Sequence, residues 1–185
     1  MDAGTSLLTL EQFIIEKGRE PVSSLTHERL MDFAHRVRLS DGLIESRTCF
    51  AASSSARNLV CRTPAFELLV LCWKPGRKPT IHDHAGSLNA IRLHRGELTS
   101  TIFVPAAGRP AGAGPVELLV EEYVRPSGRT SVDRHGVHQL ANTAGEDLAT
   151  VRVSAPPPAE LVAYSTDSAE TERRPLRHTL VDDLA

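Results

Sequence analysis

The sequence lacks a surplus of charge, a long apolar run and a basic start. Its 21 lysine and arginine residues nearly balance 23 acidic ones, for a formal net charge of −2, so nucleic acid and anionic membranes are not expected as partners. No apolar run approaches the ~20 residues that span a bilayer. The opening residues, MDAGTSLLTLEQ, carry acids where a secretory signal carries bases. We therefore expect a soluble, cytoplasmic protein.

Cysteine is also scarce. The three cysteines, Cys49, Cys61 and Cys72, are odd in number, widely spaced and without a C-x-x-C pair, which disfavours a disulfide framework and a zinc–cysteine site. Cys72 lies within the run FELLVLCW. We expect it to be a small apolar residue buried in a strand.

The first forty residues show helical periodicity. The segment SLLTLEQFIIEK, which carries a cap candidate at Ser6 or Thr9, and the segment SSLTHERLMDFAHRV both repeat apolar residues at helical spacing. Because 185 residues suit a single domain, we expect these helices to form a segment over residues 1–40 that packs on the rest of the chain.

From residue 41 the sequence pattern changes to short apolar or alternating runs separated by Pro, Gly and Ser. Eight such runs are NLVCR, FELLVLCW, NAIRLHRG, ELTSTIFV, VELLVEEYV, TSVDR, DLATVRVS and ELVAYS. Their length and spacing predict a β-sandwich or barrel over residues 41–165 and disfavour a parallel α/β sheet. The polar tail, residues 166–185, is expected to pack loosely as a partial helix, with His178 on the surface.

Two histidines lie one residue apart in TIHDHAGSLN. In a strand, His82 and His84 project to the same side while Asp83 projects to the other. Two imidazoles directed at one point suit iron, nickel, copper or zinc. Taken alone, an H-x-H pair more often has a structural or surface role.

A divalent ion needs a further protein ligand. The run RHGVHQLAN offers His138, with His135 as the less favoured alternative. In NAIRLHRG, His94 shares its strand parity with Arg92, so it faces outward if Ile91 faces the core, and we do not expect it to be a ligand.

Several glycines and histidines, together with one asparagine, follow a recognisable spacing. Those that match are Gly76, His82, His84, Gly96, Gly136, His138 and Asn142. They resemble the two motifs of the cupin superfamily, G-x5-H-x-H-x4-E-x6-G and G…H-x3-N, which implies a double-stranded β-helix, or jelly-roll barrel. Asn89 stands where that pattern has a glutamate ligand, so the resemblance implies a metal site of three histidines, His82, His84 and His138.

Three sequence blocks, which occur in the same order as in a narrower family, make the resemblance more specific. ARNLV, LLVLCWKPGRKPTIHDHAGS and GVHQLAN…ATVRVSAPP look like cysteine dioxygenase and related thiol dioxygenases. This resemblance implies Fe(2+), no organic cofactor, and oxidation by O2 of L-cysteine or a similar small carboxylate-bearing thiol to a sulfinate. It also implies that Arg57 binds the substrate carboxylate. By the ordinary affinity order Ni(2+) or another divalent metal would bind three nitrogens at least as tightly.

The match departs from the family on one strand. Thr150, Arg152 and Ser154 stand where family members typically carry Ser, His and Tyr, and Asn89 replaces the cysteine or glycine found there. Neither half of a cysteine–tyrosine cross-link is present. We therefore expect a larger or wetter pocket near Ser154, and a hydrogen bond from Asn89 to substrate or to metal-bound oxygen.

Arg152 adds a second guanidinium on the site-facing parity of that strand. It could bind a second carboxylate, or it could pair with Glu67 or Asp133. Two other functions therefore stay open: a cysteine-oxidising cupin with a different product, with nickel as a candidate metal, and a non-catalytic cupin that binds a metal or a small acid. A monomer or weak homodimer is the default expectation.

Overall fold

A computed structural model describes residues 7–18, 20–21, 24–51, 55–106, 115–125, 128–132 and 136–179. Within these residues the chain forms three helices, α1 (Leu10–Lys17), α2 (His27–Arg36) and α3 (Asp41–Ser46). Thr9 begins α1 with a capping box, in which its hydroxyl accepts from the Gln12 amide at 3.2 Å and its own amide donates to the Gln12 side chain at 3.0 Å. The sequence predicted α1 and α2 but not α3, because six residues are too few to show helical periodicity.

The strands form two antiparallel sheets and one short parallel pair. The strands are β1 (Leu8–Thr9), β2 (Val37–Arg38), β3 (Ala56–Arg62), β4 (Glu67–Trp73), β5 (His82–Asp83), β6 (Leu88–Arg95), β7 (Leu98–Pro105), β8 (Val116–Val124), β9 (Arg129–Val132), β10 (Val137–Ala141), β11 (Leu148–Ala155), β12 (Glu160–Ala163) and β13 (Glu172–Pro175). The five-stranded sheet has the order β3-β4-β11-β6-β9, and the six-stranded sheet has the order β13-β12-β5-β10-β7-β8. Each of the eight predicted runs overlaps a strand.

The five-stranded sheet is apolar on both faces. One face, including Leu68 and Val70, packs with Phe13 and Phe33 of the helices. The other face packs its own apolar side chains against Leu98, Val124 and Leu140 of the six-stranded sheet; its residues are Leu69, Leu71, Trp73, Ile91, Leu93 and Leu148. Each fully buried side chain of this size contributes about 1.5–3 kcal/mol, so this interior face holds the two sheets together.

Strand parity then decides which side chains reach the interior. Ile91 and Leu93 lie in the core between the sheets, whereas His94 is exposed, as the alternation predicted. Arg57 pairs with Leu71 in register, and Arg152 pairs with Ile91. Both arginines therefore project to the same interior face.

The prediction of a partial helix in the tail was wrong for the described residues 166–179. Instead of a partial helix, Glu172–Pro175 forms β13, which pairs antiparallel with β12 and extends the six-stranded sheet. All four residues of β13 are exposed, so the strand forms by backbone pairing to a free sheet edge, which leaves little hydrophobic pattern in a sequence. Among the described residues, none of the helices is long and apolar enough to cross a bilayer.

Candidate metal centre

Three histidines converge at one end of the interior face. His82 on β5 and His138 on β10 are opposite one another in the antiparallel register. His84 follows β5 at a tight turn, in which Ala85 and Gly86 have φ values of 50° and 92°. The imidazole centroids are 4.7 Å apart for His82–His84, 4.7 Å for His82–His138 and 5.1 Å for His84–His138. The turn thus brings His84 next to His82 and His138, which the paired strands already hold together.

The ring nitrogens have the geometry of a ligand set. One nitrogen from each ring lies within 4.8 Å of the other two, so the group could hold a metal ion. His84 Nε2 and His138 Nε2 are 3.0 Å apart, close to the roughly 3 Å between two nitrogens that share an ion at about 2.0–2.1 Å each. His82 Nδ1 lies 2.7 Å from the Thr80 carbonyl oxygen. The N–H on that nitrogen donates to the carbonyl, which leaves the lone pair on Nε2.

Burial keeps these imidazoles neutral. The exposed fractions of His82, His84 and His138 are 8%, 2% and 0%. Desolvation, reinforced by the positive charge of Arg152, lowers the pKa of His82 to about 4 and the pKa values of His84 and His138 well below the usual range. Neutral imidazole is the form that binds a metal, so the donor set fits a borderline divalent ion.

Two other motif residues join the segment that precedes β5 to the segment that follows β10. The Gly76 amide donates to the Asn142 carbonyl oxygen at 2.9 Å, and the Asn142 side-chain amide donates to the Trp73 carbonyl oxygen at 3.1 Å. Asp83 lies outside the histidine group and accepts a hydrogen bond from the Tyr164 hydroxyl at 2.7 Å. Sequence reasoning missed Tyr164, which is 81 residues from Asp83.

Arg152 is buried beside the histidines and held by neutral groups. Its Nη2 lies 3.0 Å from His84 Nε2, and its Nε donates to Asn89 Oδ1 at 3.0 Å and contacts Ser154 Oγ at 3.1 Å. The Ser154 hydroxyl donates to the same Asn89 oxygen at 2.8 Å. Asn89 therefore accepts from Arg152 and Ser154, while its Nδ2 donates to the Ser87 carbonyl oxygen at 3.0 Å.

These contacts bear on three expectations. Ser154 is fully buried and its hydroxyl is bonded to Asn89, and the larger pocket expected there stays a prediction. The described contacts of Asn89 are to protein groups, and its expected hydrogen bond to substrate or to metal-bound oxygen stays a prediction. Glu67 does not contact Arg152 through a hydrogen bond, because its carboxylate is taken by Arg57. Asp133 and His135 lie outside the described residues.

Arg57 forms a buried ion pair. Its Nη2 donates to Glu67 Oε1 at 2.8 Å, and the Glu67 side chain is 0% exposed. His178 Nε2 lies 3.2 Å from the other Glu67 oxygen, with its side chain 15% exposed, so the expectation of a surface histidine was wrong. Burial lowers the pKa of Arg57, and Glu67 opposes that shift. No local pattern could reveal a contact across 111 residues.

A cavity of about 60 Å³ joins these groups. Its walls are formed by Ser55, Arg57, Leu71, Trp73, Pro79, His82, His84, Leu140, Arg152 and Leu176. Two candidate metal ligands and both buried guanidinium groups thus face one small space. Asn89 and Ser154 are not among these walls and instead contact Arg152.

The chain is similar to known proteins over most of this region. The family model described as cysteine dioxygenase type I matches residues 45–167. Cysteine dioxygenase type 1 of Danio rerio is 28% identical over an alignment of 109 residues, and the match covers 55% of this chain and 51% of that protein. The chain therefore spans about half the length of this curated relative.

Two solved structures show the fold. A Thermus thermophilus protein aligns with a TM-score of 0.52 and 16% identity over 65% of this chain and 98% of its own. An uncharacterized conserved protein with a double-stranded beta-helix domain from Klebsiella pneumoniae aligns with a TM-score of 0.54 and 16% identity over 69% and 92%. The predicted fold class, a mainly β cupin with N-terminal helices, is confirmed.

Proposed function

This chain belongs to the cysteine dioxygenase type I family, and on that premise we propose that it is a metal-dependent thiol dioxygenase. A three-histidine group in this family implies a divalent metal and an oxygenase reaction on a small thiol. The proposed substrate is L-cysteine or a similar small thiol that bears a carboxylate. The proposed ligands are His82, His84 and His138.

One observation carries this proposal: His82, His84 and two guanidinium groups face the same cavity. A carboxylate in an enclosed space requires a cation, and an arginine–carboxylate contact also fixes orientation. In the proposed complex Arg57 binds the carboxylate, with Arg152 as a second cation beside the histidines. The cavity of about 60 Å³ favours a substrate of few atoms.

The proposed reaction is balanced without an external reductant. A thiol and one O2 give a sulfinate and a proton: both oxygen atoms bond to sulfur, and sulfur supplies the four electrons that reduce dioxygen. When bound, the metal would supply coordination of the thiolate and activation of dioxygen. The chain supplies orientation through Arg57 and exclusion of water by the apolar walls Leu71, Trp73 and Leu140.

We propose Fe(2+) as the native metal and no organic cofactor. Three neutral nitrogens do not by themselves select iron, because Ni(2+), Cu(2+) and Zn(2+) bind such ligands at least as tightly. Anaerobic purification followed by metal analysis decides the identity. One iron per chain supports the proposal, and stoichiometric nickel with activity restored by nickel alone contradicts it.

The activity test is oxygen uptake with a thiol panel. Purified protein is given cysteine, 3-mercaptopropionate, cysteamine and mercaptosuccinate in turn, and uptake is expected with at least one carboxylate-bearing thiol. His138→Ala should abolish uptake and metal binding, whereas His94→Ala, an exposed histidine away from the cavity, should change neither. Metal binding without uptake for any thiol would favour a non-catalytic cupin.

The Arg152 contacts favour one alternative within the enzyme class. A guanidinium 3.0 Å from His84 Nε2 and 3.1 Å from Ser154 Oγ places a permanent donor next to the proposed ligands, where the resemblance implies a histidine and a tyrosine. A product other than the sulfinate is therefore the second candidate. Mass spectrometry separates them, since the sulfinate adds two oxygen atoms to the thiol.

The cellular and quaternary setting is proposed as well. We propose a cytoplasmic monomer or weak homodimer, in which residues 1–40 pack on a barrel of residues 41–165 as one domain. Light scattering over a concentration series tests the assembly. A dimer that persists at the lowest measurable concentration would contradict it.

A further inference from the structure

Residues 176–179, here named the C-terminal segment, connect the two sheets across the cavity. The Leu176 amide donates to the Ala159 carbonyl oxygen at 2.9 Å, next to β12. The Thr179 amide donates to the Arg57 carbonyl oxygen at 2.7 Å, and the Arg57 amide donates to Thr179 Oγ1 at 3.0 Å. The segment lies beyond the family match, which ends at residue 167, and its Leu176 forms part of the cavity wall.

Between these two ends, His178 shares a carboxylate with Arg57. Glu67 accepts from Arg57 Nη2 through Oε1 at 2.8 Å, and its Oε2 contacts His178 Nε2 at 3.2 Å. Arginine and a carboxylate often pair through two parallel hydrogen bonds. Among the described contacts Arg57 bonds only one oxygen of Glu67, and the histidine contacts the other.

Because His178 and Arg57 share the Glu67 carboxylate, His178 affects how many N–H groups of Arg57 remain free for a substrate. Glu67 is fully buried. If one of its carboxylate oxygens lost its hydrogen-bond donor, that oxygen would need a new donor from the protein. The guanidinium already bonded to Oε1 presents further N–H groups in a planar fork. Without His178, Glu67 would therefore bind Arg57 through both oxygens and occupy the N–H groups that a substrate carboxylate needs.

We propose that His178 is a positioning residue for substrate recognition: it restricts Glu67 to one contact with Arg57 and so keeps the guanidinium available to the thiol's carboxylate. This inference rests on the proposed function and adds the C-terminal segment to the substrate site. It assigns the preference for a carboxylate-bearing thiol partly to residues outside the family match.

The test compares two thiols and four variants. L-Cysteine carries a carboxylate and cysteamine does not, so kinetics with both separate recognition from chemistry. His178→Ala and His178→Asn remove the contact, since the asparagine amide is too short to reach Glu67. His178→Gln retains an N–H donor of similar reach. Arg177→Ala changes an exposed neighbour and serves as the matched control.

For His178→Ala and His178→Asn we expect KM for L-cysteine to rise about tenfold, the equivalent of one charge-assisted hydrogen bond. The value of kcat should stay within about twofold, and cysteamine kinetics should not change. Anaerobic equilibrium dialysis of L-cysteine should show the same loss of affinity. The His178→Gln variant should recover most of it, and Arg177→Ala should match the parent.

The inference is overturned if His178→Ala leaves the cysteine KM unchanged, raises the cysteamine KM equally, or is not rescued by glutamine. Unfolding curves for each variant exclude a loss of fold as the cause, and His178→Asn repeats the test if the alanine variant unfolds. Failure of the proposed function looks different, since the parent protein would then take up no oxygen with any thiol.

Discussion

His84 and His138 meet through their Nε2 atoms, which are 3.0 Å apart. At that distance one of two neutral rings must donate a hydrogen to the other, or both lone pairs must point at a shared cation. Arg152 Nη2 lies 3.0 Å from the same His84 nitrogen and 3.1 Å from its Nδ1. An ion bound there would take the place of the interaction between the two rings and shift the guanidinium contact away from Nε2.

Metal binding should therefore stabilise the fold. Adding a divalent metal to chelator-treated protein is expected to raise the melting temperature, since a ligand at about 100 times its Kd stabilises by about 2.7 kcal/mol. Anaerobic differential scanning calorimetry measures the shift. The His138→Ala protein should show little shift, and an equal shift in both proteins would place the metal elsewhere.

Acid should begin to destabilise the metal-free protein at a pH above the range of carboxylate titration. The folded pKa of His82 is about 4 against an ordinary 6.5. Between these values the unfolded chain binds a proton that the folded protein excludes, so stability is complete above pH 6.5 and is lost as pH falls toward 4. Protonation of this group alone should lower the free energy of unfolding by about 3 kcal/mol between pH 6.5 and pH 4. Urea unfolding at a series of pH values should show the slope, and His82→Gln should reduce it.

Asn89 is expected to matter for stability as the acceptor for a buried charge. Asn89→Ala removes the oxygen that accepts from Arg152 and Ser154, and it should lower the free energy of unfolding by about 2–3 kcal/mol. Asn89→Asp keeps an acceptor and adds a charge opposite to that of Arg152, so it should lose less. Denaturant titration ranks the two, and equal losses would contradict the acceptor role, because aspartate keeps both the volume and the accepting oxygen of Asn89.

Restoring an aromatic ring at position 154 should fail unless Arg152 is also changed. Ser154 is fully buried and its hydroxyl is 3.1 Å from Arg152 Nε, so Ser154→Tyr is expected to cost about 1–3 kcal/mol through overpacking. The double variant with Arg152→Ala should be more stable than the sum of the single effects. Additive losses in denaturant titrations would mean that the guanidinium does not compete for the ring's space.

The cysteines should differ in reactivity. Cys49 is exposed, Cys72 is fully buried, and burial raises the pKa values of Cys61 and Cys72 to about 11. Since the thiolate is the reactive form, a thiol reagent at pH 8 should label Cys49 first in the native protein. Mass spectrometry of digested, labelled protein identifies the site. Early labelling of Cys72 would contradict its burial in β4.

Local patterns in the sequence carried much of this structure. The alternation in NAIRLHRG predicted an interior Ile91 and an exposed His94, because a strand has a strict two-residue period. The H-x-H pair and the later His138 were predicted to meet, and they do. Their role as ligands, and the role of Arg57 toward a carboxylate, stay predictions.

Contacts between distant segments could not be predicted from the sequence. Glu67 was considered as a partner of Arg152, but its carboxylate accepts a hydrogen bond from Arg57. In the β3–β4 register Glu67 lies opposite Arg62, and Arg57 lies opposite Leu71. His178 was assigned to the surface because its own segment is polar, and only the pairing of Thr179 with the backbone of Arg57 brings it to Glu67. Such contacts depend on strand order and edge pairing, which no local periodicity encodes.

The arginine beside His84 also limits how the site handles protons. Burial and the charge of Arg57 lower the pKa of Arg152 to about 9, so at neutral pH it remains charged and can donate hydrogen bonds but cannot accept a proton. A histidine in that place could relay one. At neutral pH this side chain therefore supplies a fixed positive charge and hydrogen-bond donors to the site, and a proton released there would pass by another route.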